Sequence, residues 1–187
     1  MKFSLSWLTE HIDLLPDTSL DCISKSLTDL GLEVESIKDI SLDLENFIIA
    51  EIVNVKPHPN ADRLNICDID LGNKKVSVVC GAKNVQKNLK VVFAPIGSII
   101  PLNGMLLKKK DIRGFTGDGM LCSYEELCLE DKSDGIIELS ENEPIGKKYV
   151  DWSSLSDPIF EIGLTPNRGD CASVLGIARE LAAIGLG

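Results

Sequence analysis

The chain has 187 residues, of which 44% are hydrophobic and 26% are charged. This balance is ordinary for a globular protein and excludes a disordered chain, which has fewer apolar residues at such charge. No stretch approaches about 20 apolar residues, so we expect no membrane-spanning helix. Glu10, His11 and Asp13 interrupt the start of the chain where a signal peptide needs an apolar run, and we therefore expect a cytoplasmic protein.

Charge is distributed unevenly along the sequence. The net charge of −10 argues against a simple nucleic-acid-binding protein, which is usually basic. Residues 56–113, however, hold eleven basic and four acidic residues, a local charge of +7 against −17 in the rest of the chain. A basic segment of this kind suits a polyanion held at one face. The alternative is a set of solvated lysines at strand edges, where lysine discourages aggregation.

The first predicted element is a helix over residues 18–30. Thr18 or Ser19 can cap its start, and Gly31 can end it in the left-handed conformation. Residues 32–40 then read as an extended segment. The apolar residues at helical spacing are Leu20, Ile23, Leu27 and Leu30.

From about residue 46 the sequence changes to short runs rich in Val and Ile. Gly, Pro and Asn separate these runs, which recur roughly every 10–15 residues with no long helix between them. This pattern favours a small barrel or sandwich over a parallel sheet, and an OB-type barrel of about five strands fits the length. The runs are FIIAEIVNV, RLNICDIDL, KVSVVC and KVVFAPI.

Short elements follow these runs. Residues 123–127 predict a short helix that opens with a capping box formed by Ser123 and Glu126. Residues 131–139 predict a turn and then a strand. Residues 151–157 read as a linker.

The end of the chain predicts a strand over residues 157–164 and a long amphipathic helix after it. Asp170 can cap this helix. Both this helix and the helix at 18–30 need a partner for their apolar faces, and the simplest solution packs them together. The apolar stripe of the last helix is Val174, Ile177, Ala178, Leu181 and Ile184.

This packing predicts two domains. Residues 1–39 and 151–187 form a small discontinuous domain that contains the helices. Residues 40–150 form an inserted OB-type β-barrel. The overall fold class is therefore an OB-fold barrel plus a small α+β or helical domain.

Several common enzyme motifs do not occur in the sequence. It contains no G-x-x-x-x-G-K-[ST] phosphate loop, no G-x-G-x-x-G after a strand and no G-x-S-x-G nucleophile elbow. Its two histidines, His11 and His58, cannot build a histidine-rich metal centre. Counting alone leaves open a Cys–His nucleophile pair that uses His58.

The six cysteines show no C-x-x-C spacing. In a cytosolic chain this indicates reduced, buried thiols, with a structural metal site as the alternative.

Three segments carry side chains suited to a polyanion. In the first, residues 56–64, two prolines restrict the backbone. His58, Asn60 and Arg63 can then donate hydrogen bonds to a phosphate or a base edge. The alternative is a rigid loop between strands.

The second segment, residues 80–85, has a small Gly-Ala pair that permits another backbone to approach. Lys83 and Asn84 follow this pair, where a ligand would meet them.

In the third segment, residues 108–123, three lysines and Arg113 precede a glycine-rich turn, and Phe115 is available for stacking. OB barrels bind nucleic acid with basic grooves and aromatic platforms. The alternative is a basic strand edge followed by a tight turn.

Taken in order, these segments resemble a known module. HPNADRL, VVCGAKNV, PIGSIIP and IRGFTGDGMLCSYEEL occur in the order and spacing of the tRNA-binding OB domain. The flanking KFSLSWLTEHIDL, LTDLGLEVESI and FEIGLTPNRGDCASVLGIARELAA resemble the N-terminal part of bacterial phenylalanine–tRNA ligase beta subunits. The resemblance covers essentially the whole chain.

The resemblance implies tRNA as the partner, specifically phenylalanine tRNA. It also implies a longer subunit that pairs with an alpha subunit as a two-alpha, two-beta enzyme using ATP and Mg²⁺. The aminoacylation and editing sites are then expected outside this chain. We therefore expect no catalytic residue, metal or cofactor here, and neither a membrane nor DNA as a partner.

The same resemblance gathers the candidate tRNA-binding residues. Two positions depart from the family pattern, since Lys83 stands where proline is common and Gly117 stands where serine is common. The candidates are Lys56, His58, Asn60, Arg63, Lys83, Asn84, Lys108, Lys109, Lys110, Arg113 and Ser123.

Three hypotheses for function follow. The chain is a tRNA-contacting appendage that holds tRNA electrostatically, without base specificity. Alternatively, it is a structural or subunit-interaction module with little tRNA affinity of its own, which the net charge of −10 and the 5% aromatic content favour. The third hypothesis, a cysteine-dependent hydrolase, needs a thiolate activated by a neighbouring base.

Overall fold

The computed structural model describes residues 1–153 and 155–187, and its sheets are mostly antiparallel, with few helices. The chain divides into two units. Unit 1 comprises Met1–Ile40 with Ser156–Gly187, and unit 2 comprises Ser41–Leu155. Across the described residues, no helix is both long and apolar enough to cross a membrane.

The elements follow in chain order. The strands are β1 (Lys2–Ser4), β2 (Glu33–Lys38), β3 (Ile48–His58), β4 (Ala61–Asp70), β5 (Lys75–Cys80), β6 (Lys90–Pro95), β7 (Ile99–Ile100), β8 (Met105–Leu106), β9 (Lys110–Ile112), β10 (Phe115–Gly117), β11 (Gly119–Leu121), β12 (Glu138–Leu139) and β13 (Ile159–Gly163). The helices are α1 (Leu5–Thr9), α2 (Leu20–Asp29), α3 (Ile40–Asp43), α4 (Tyr149–Ser153) and α5 (Val174–Ala183), and a 3₁₀ turn spans Gly169–Cys171.

Unit 1 packs its helices onto a three-stranded antiparallel sheet with the order β1-β13-β2. Ile23 and Leu27 of α2 share one buried core with Ile177 and Leu181 of α5, which confirms the predicted packing of the two helices. The strands contribute aromatic rings, and those of Phe3 and Phe160 stack with their centroids 5.3 Å apart.

Helix α2 confirms the helix predicted over residues 18–30. Ser19 caps it, since its hydroxyl accepts a hydrogen bond from the Cys22 N–H at 3.2 Å. Gly31 follows the helix with a φ of +80°, a conformation that glycine adopts without steric cost.

The predicted cap of the last helix is wrong. Ser173 is the cap of α5, and its hydroxyl accepts a hydrogen bond from the Gly176 N–H at 3.1 Å. Asp170 lies one turn earlier in the 3₁₀ segment, where its carboxylate accepts from the Cys171 thiol at 3.2 Å. The extra turn places this carboxylate too early in the chain to reach the first amides of α5.

The predicted linker over 151–157 is also wrong in its first part, because residues 151–153 belong to α4. Tyr149 on this helix is buried, and its ring lies 6.0 Å from that of Trp152. Residue 154, within the same prediction, lies outside the described residues.

Arg168 joins the ends of the two main helices of unit 1. Its Nη1 donates to the carbonyl oxygen of Leu30, the C-cap of α2, at 2.5 Å. Its Nη2 donates to Glu180 Oε2 of α5 at 2.8 Å and to Cys171 Sγ at 2.9 Å. A single guanidinium therefore satisfies a helix-terminal carbonyl and a carboxylate from elements far apart in sequence.

Unit 2 is built on a six-stranded antiparallel sheet with the order β11-β6-β3-β4-β5, in which β12 also pairs with β6. Strand β3 is central, since its first half pairs with β6 and its second half with β4. Its ladder with β4 shifts register between Ile52 and Asn54 and between Pro57 and His58. In the described residues no strand pairing joins β5 to β11, so the ladders leave the sheet open.

The Val- and Ile-rich runs form β3, β4, β5 and β6, as predicted. Successive residues on β3 and β6 are buried, such as Ile49 with Ala50 and Val92 with Phe93. Both faces of these strands are therefore covered, which explains why their sequences are continuous apolar runs rather than alternating ones.

Two predictions in the third quarter of the chain need correction. Residues 123–127 form a hydrogen-bonded turn and not a helix. The Leu129 N–H donates to the Tyr124 carbonyl at 2.9 Å, and Cys128, with a φ of 55°, leaves the helical conformation. The strand predicted within 131–139 is reduced to Glu138–Leu139, which pairs with β6.

A substitution at Gly176 tests how closely α5 packs against the 3₁₀ turn in unit 1. A Cβ at this position would overlap the carbonyl oxygen of Asp170. Alanine normally stabilises a helix relative to glycine. We nevertheless expect Gly176→Ala to lower the free energy of unfolding by about 1–3 kcal/mol, because the overlap forces the backbone to move.

Urea denaturation followed by Trp7 fluorescence, in a Trp152→Phe background, measures this effect in unit 1. Gly169→Ala is the matched control, since a Cβ there meets nothing within 4 Å. A Gly176→Ala variant as stable as the parent would contradict the close approach.

Candidate functional site

The turn between β3 and β4 places His58 inside the protein. The side chain is only 4% exposed. Its Nδ1 accepts a hydrogen bond from the Asn60 N–H at 3.1 Å, and its Nε2 lies 3.1 Å from the carbonyl oxygen of Ile112. An amide N–H can only donate and a carbonyl oxygen can only accept, so this geometry suits the tautomer with its proton on Nε2, and both ring nitrogens bond within the protein.

Strands β9 and β10 form a tight hairpin whose two central residues, Arg113 and Gly114, have φ values of 54° and 90°. Positive φ at both positions is typical of the type I′ turn. Asp111 supports the turn, since its carboxylate accepts a hydrogen bond from the Gly114 N–H at 2.9 Å. The glycine-rich sequence thus fixes where the Arg113 side chain leaves the backbone.

The β3–β4 turn and the β9–β10 hairpin are hydrogen-bonded to one another. Asn60 Nδ2 donates to the Arg113 carbonyl at 3.1 Å, and Arg113 Nη1 donates to the Asn60 carbonyl at 3.0 Å. Together with the contact between His58 and Ile112, these bonds form what we call the turn–hairpin junction, made of His58, Asn60, Ile112 and Arg113. The junction brings two sequence segments separated by about fifty residues into one site.

Three of the four acidic residues in the basic segment accept hydrogen bonds from their neighbours. Asp68 accepts from Asn54 at 3.0 Å and from Ser77 at 2.9 Å. These two bonds hold the pKa of the Asp68 carboxyl below its usual range. Asp70 accepts from the Gly72 N–H, and Asp111 supports the hairpin turn. These carboxylates thus have structural partners within the sheet.

The basic side chains are less constrained. Lys109 pairs with Asp118 at 2.7 Å. Lys108 and Lys110 are exposed, and no carboxylate among the described residues lies within ion-pair distance of either. Arg63 and Arg113 line one depression of about 440 Å³. Within the described part of the chain, Arg63, Lys108 and Lys110 therefore offer positive charge to a ligand without first giving up an ion pair.

Asn84 is held inside unit 2 by residues about fifty positions later. Its Nδ2 donates to the Ile136 carbonyl at 2.9 Å and to Glu138 Oε1 at 2.8 Å, and its Oδ1 accepts from the Ile136 N–H at 3.1 Å. The side chain therefore fastens the loop after β5 to the segment before β12. Lys83, its neighbour, is exposed, as is Lys56 on β3.

Ser123 forms the predicted capping box even though no helix follows it. Its backbone N–H and its hydroxyl both donate to Glu126 Oε2, at 2.8 and 2.9 Å. Ser123 lines a pocket of about 400 Å³ that also contains Glu126 and Asp134. Two carboxylates make this pocket unfavourable for a phosphate.

A second groove, of about 380 Å³, runs beside the lysine run. Its lining includes Val79, Met105, Leu106 and Met120 as well as the lysines. The sequence reasoning missed these apolar residues. The stretch GMLLKKK could have indicated an apolar surface beside the lysines, because apolar residues directly precede them.

The buried cysteines Cys67 and Cys80 are not activated nucleophiles. Burial, above all, raises the pKa of Cys67 to about 12, and it also raises that of Cys80. A thiol of raised pKa is a poor nucleophile at neutral pH. His58 already uses both ring nitrogens, so it does not serve as a base for either thiol.

One cluster has metal-ligand character, formed by Asp170, Cys171 and Glu180. Arg168 donates hydrogen bonds to all three of these side chains, with Asp170 the most distant at 3.4 Å. The positive charge beside these ligand-type side chains is therefore the guanidinium of Arg168 in the chain itself.

The family model described as "Putative tRNA binding domain" matches residues 47–148, which is more than half of the chain. The chain belongs to this tRNA-binding domain family. The match lies within unit 2 and contains the turn–hairpin junction and the lysine run.

Named relatives extend the similarity beyond the tRNA-binding domain. A phenylalanine–tRNA ligase beta subunit of Rickettsia prowazekii is 49% identical over the whole of this chain. One from Rhodopseudomonas palustris is 47% identical, again over the whole chain. The chain spans 23% of the length of either relative. Among solved structures, a MetRS-related protein from Pyrococcus horikoshii aligns over 54% of this chain and 84% of its own, with 22% identity and a TM-score of 0.40.

The turn–hairpin junction of this tRNA-binding domain can be tested through His58. His58→Ala removes the partners of the Asn60 N–H and the Ile112 carbonyl and leaves a cavity. We expect it to lower the free energy of unfolding of unit 2 by about 2 kcal/mol.

Urea denaturation followed by Trp152 fluorescence in a Trp7→Phe background measures this change. The exposed neighbour Lys56 provides the control, since Lys56→Ala should change stability by less than about 0.5 kcal/mol. Equal stability of the two variants would show that His58 does not hold the junction.

Proposed function

We propose that this chain is the N-terminal region of a phenylalanine–tRNA ligase beta subunit and that unit 2 contacts phenylalanine tRNA. The observation that carries the proposal is the identity of 49% over the entire chain, which includes both flanks of the tRNA-binding domain. The unpaired basic side chains of unit 2 give the proposal a physical basis, because phosphate contacts supply most of the affinity of non-specific nucleic-acid binding.

We propose further that unit 2 is an OB-type barrel inserted into unit 1. The five-strand order β11-β6-β3-β4-β5 supports this, as does one backbone hydrogen bond across the remaining gap. The Asp118 N–H, just before β11, donates to the Ser77 carbonyl of β5 at 2.9 Å. This bond supports closure of the sheet, since it joins the segment just before β11 to β5. Insertion is supported by the position of Ser41–Leu155 between the two parts of unit 1.

The proposed contact with tRNA is electrostatic and does not read base identity. Arg63, Lys108, Lys110 and Arg113 provide the charge, and Lys56 and Lys83 extend it. Lysine acts as a point charge toward phosphate, whereas arginine can present two parallel donors. His58, Asn60, Asn84 and Ser123 serve the contact indirectly, since their polar atoms bond within the protein and fix the loops that carry the cations.

The similarity to phenylalanine–tRNA ligase beta subunits extends the proposal to the whole enzyme. The beta subunit would pair with a separate alpha subunit in a two-alpha, two-beta assembly in the cytoplasm. Aminoacylation would use ATP and Mg²⁺ held by that partner. The present chain would contribute tRNA engagement and no catalytic residue.

A structural or subunit-interaction role is the second candidate. The net charge of −10 favours it, since tRNA is repelled by an acidic surface at long range. The two candidates differ in one property, which is the salt dependence of tRNA binding.

We expect labelled phenylalanine tRNA to bind this chain with an affinity that falls steeply with salt, measured by fluorescence anisotropy. In the triple variant Arg63→Ala, Lys108→Ala, Lys110→Ala, the slope of log K against log salt should fall by about three, because each of the three cations neutralises one phosphate.

The matched control, Lys74→Ala with Lys87→Ala and Lys132→Ala, removes the same charge from exposed lysines. These three lysines lie outside both the depression lined by Arg63 and Arg113 and the groove lined by the lysine run. The control should change the slope little. Absence of tRNA binding by the parent chain at low salt would reject the tRNA-contacting role and leave the structural one.

A further inference from the structure

The hairpin formed by β7 and β8 exposes apolar side chains to an unusual degree. Ile99 is 56% exposed, Met105 is 46% exposed and Leu106 is 47% exposed. Leu102, in the connection between the two strands, is 50% exposed. Single exposed apolar residues are ordinary, but several on one short hairpin indicate a binding surface.

Two of these residues face a groove together with the lysine run. Met105 and Leu106 line it with Val79 and Met120 from β5 and β11. Lys108, Lys109 and Lys110 also line it, and its lining contains no carboxylate. The volume of about 380 Å³ lies within the range of pockets that hold small ligands. The groove is therefore apolar along one part and positively charged along another.

We propose that this groove receives one unpaired nucleobase of an RNA strand, with Lys108 and Lys110 on the adjoining phosphates. The proposal rests on the proposed function and names the part of the RNA that unit 2 binds. A nucleotide carries a flat apolar ring and an anionic phosphate close together, which is the combination that this lining complements.

The lining also determines what kind of recognition occurs. Methionine sulfur makes favourable contacts with aromatic rings, and its flexible side chain adapts to rings of different shape. The groove side chains lack amide, hydroxyl and carboxylate groups, so none of them accepts a hydrogen bond from a base. The only polar side-chain groups in this lining are the lysine ammonium groups, which donate equally well to the acceptors of adenine and of uracil. The groove therefore requires a base but does not distinguish adenine from uracil.

The three lysines of the run have different contacts within the groove. Lys109 is held by Asp118 at 2.7 Å, which fixes the middle of the run. Lys108 and Lys110, on either side, remain without such a partner in the described residues. An apolar protein segment would leave these two charges uncompensated, which favours RNA over a protein as the occupant.

The test compares three fluorescein-labelled RNA probes by anisotropy: an eight-nucleotide oligoadenylate, an eight-nucleotide oligouridylate and an abasic ribose-phosphate chain of equal length. The parent chain should bind both base-containing probes with similar affinity, and roughly fivefold or more tightly than the abasic chain. Met105→Ser with Leu106→Ser should reduce this preference to about one without changing the salt slope.

Ile99→Ser with Leu102→Ser is the matched control. It removes exposed apolar surface from the same hairpin but outside the groove lining, and it should keep the preference for bases. Lys108→Ala with Lys110→Ala should weaken binding of all three probes and lower the salt slope by about 1.4. Thermal melting establishes that each variant is folded.

The outcomes separate this proposal from the proposed function. Equal binding of abasic and base-containing probes by the parent chain would overturn the proposal that the groove binds a nucleobase. Salt-dependent binding of phenylalanine tRNA would still support the tRNA-contacting role. Loss of binding to every RNA, including tRNA, would overturn both. A Met105→Ser, Leu106→Ser variant that changes only the oligomeric state of the chain would assign the apolar surface to a protein contact and reject the nucleobase.

Discussion

The turn–hairpin junction is the constraint on which the basic site depends. His58 has one nitrogen that accepts and one that donates, and both are engaged, by the Asn60 amide and the Ile112 carbonyl. This arrangement holds the β9–β10 hairpin against the β3–β4 turn and so fixes the direction of Arg113 relative to Arg63. Without it, the hairpin would rely on its own short ladder and on the contact of β10 with β5, and short two-stranded ladders are marginal in water. The imidazole thus acts as a buried crosslink that positions charge rather than as a ligand group.

The charged side chains of unit 2 also divide into groups that hold the structure together and groups that remain exposed. Acidic groups in the basic segment accept hydrogen bonds inside the sheet, as Asp68 does from Asn54 and Ser77. Most lysines remain exposed, since the desolvation of a lysine without a partner would be costly. The net charge of the chain therefore says little about the field that a ligand meets at this surface. At physiological ionic strength the Debye length is about 8 Å, so acidic residues farther away are largely screened.

Local patterns predicted the regular elements well and the connections poorly. The spacing of apolar residues and the cap at Ser19 were sufficient for α2, and the Val- and Ile-rich runs were sufficient for the central strands. Asp170 failed as a helix cap because a 3₁₀ turn intervenes and Arg168 binds the carboxylate. The roles of His58 and Asn84 could not be read from sequence, because their partners lie more than fifty residues away. The apolar groove was missed for another reason, since GMLLKKK shows apolar residues beside lysines but not that Met105 and Met120 line one groove after folding.

Several residues that carry the family resemblance hold the site together rather than offer charge to RNA. His58, Asn60, Asn84 and Ser123 belong to the quoted motifs, yet their polar atoms bond to Ile112, Arg113, Ile136 and Glu126 within the domain. A match to these motifs therefore indicates that the hydrogen-bonded scaffold of the site is present. In the proposed contact, affinity would depend instead on exposed cations such as Lys83 and Lys108, which take no part in the hydrogen bonds of this scaffold. Members of the family can consequently share this fold and differ widely in how strongly they hold tRNA, so binding strength has to be argued from the exposed side chains of each chain.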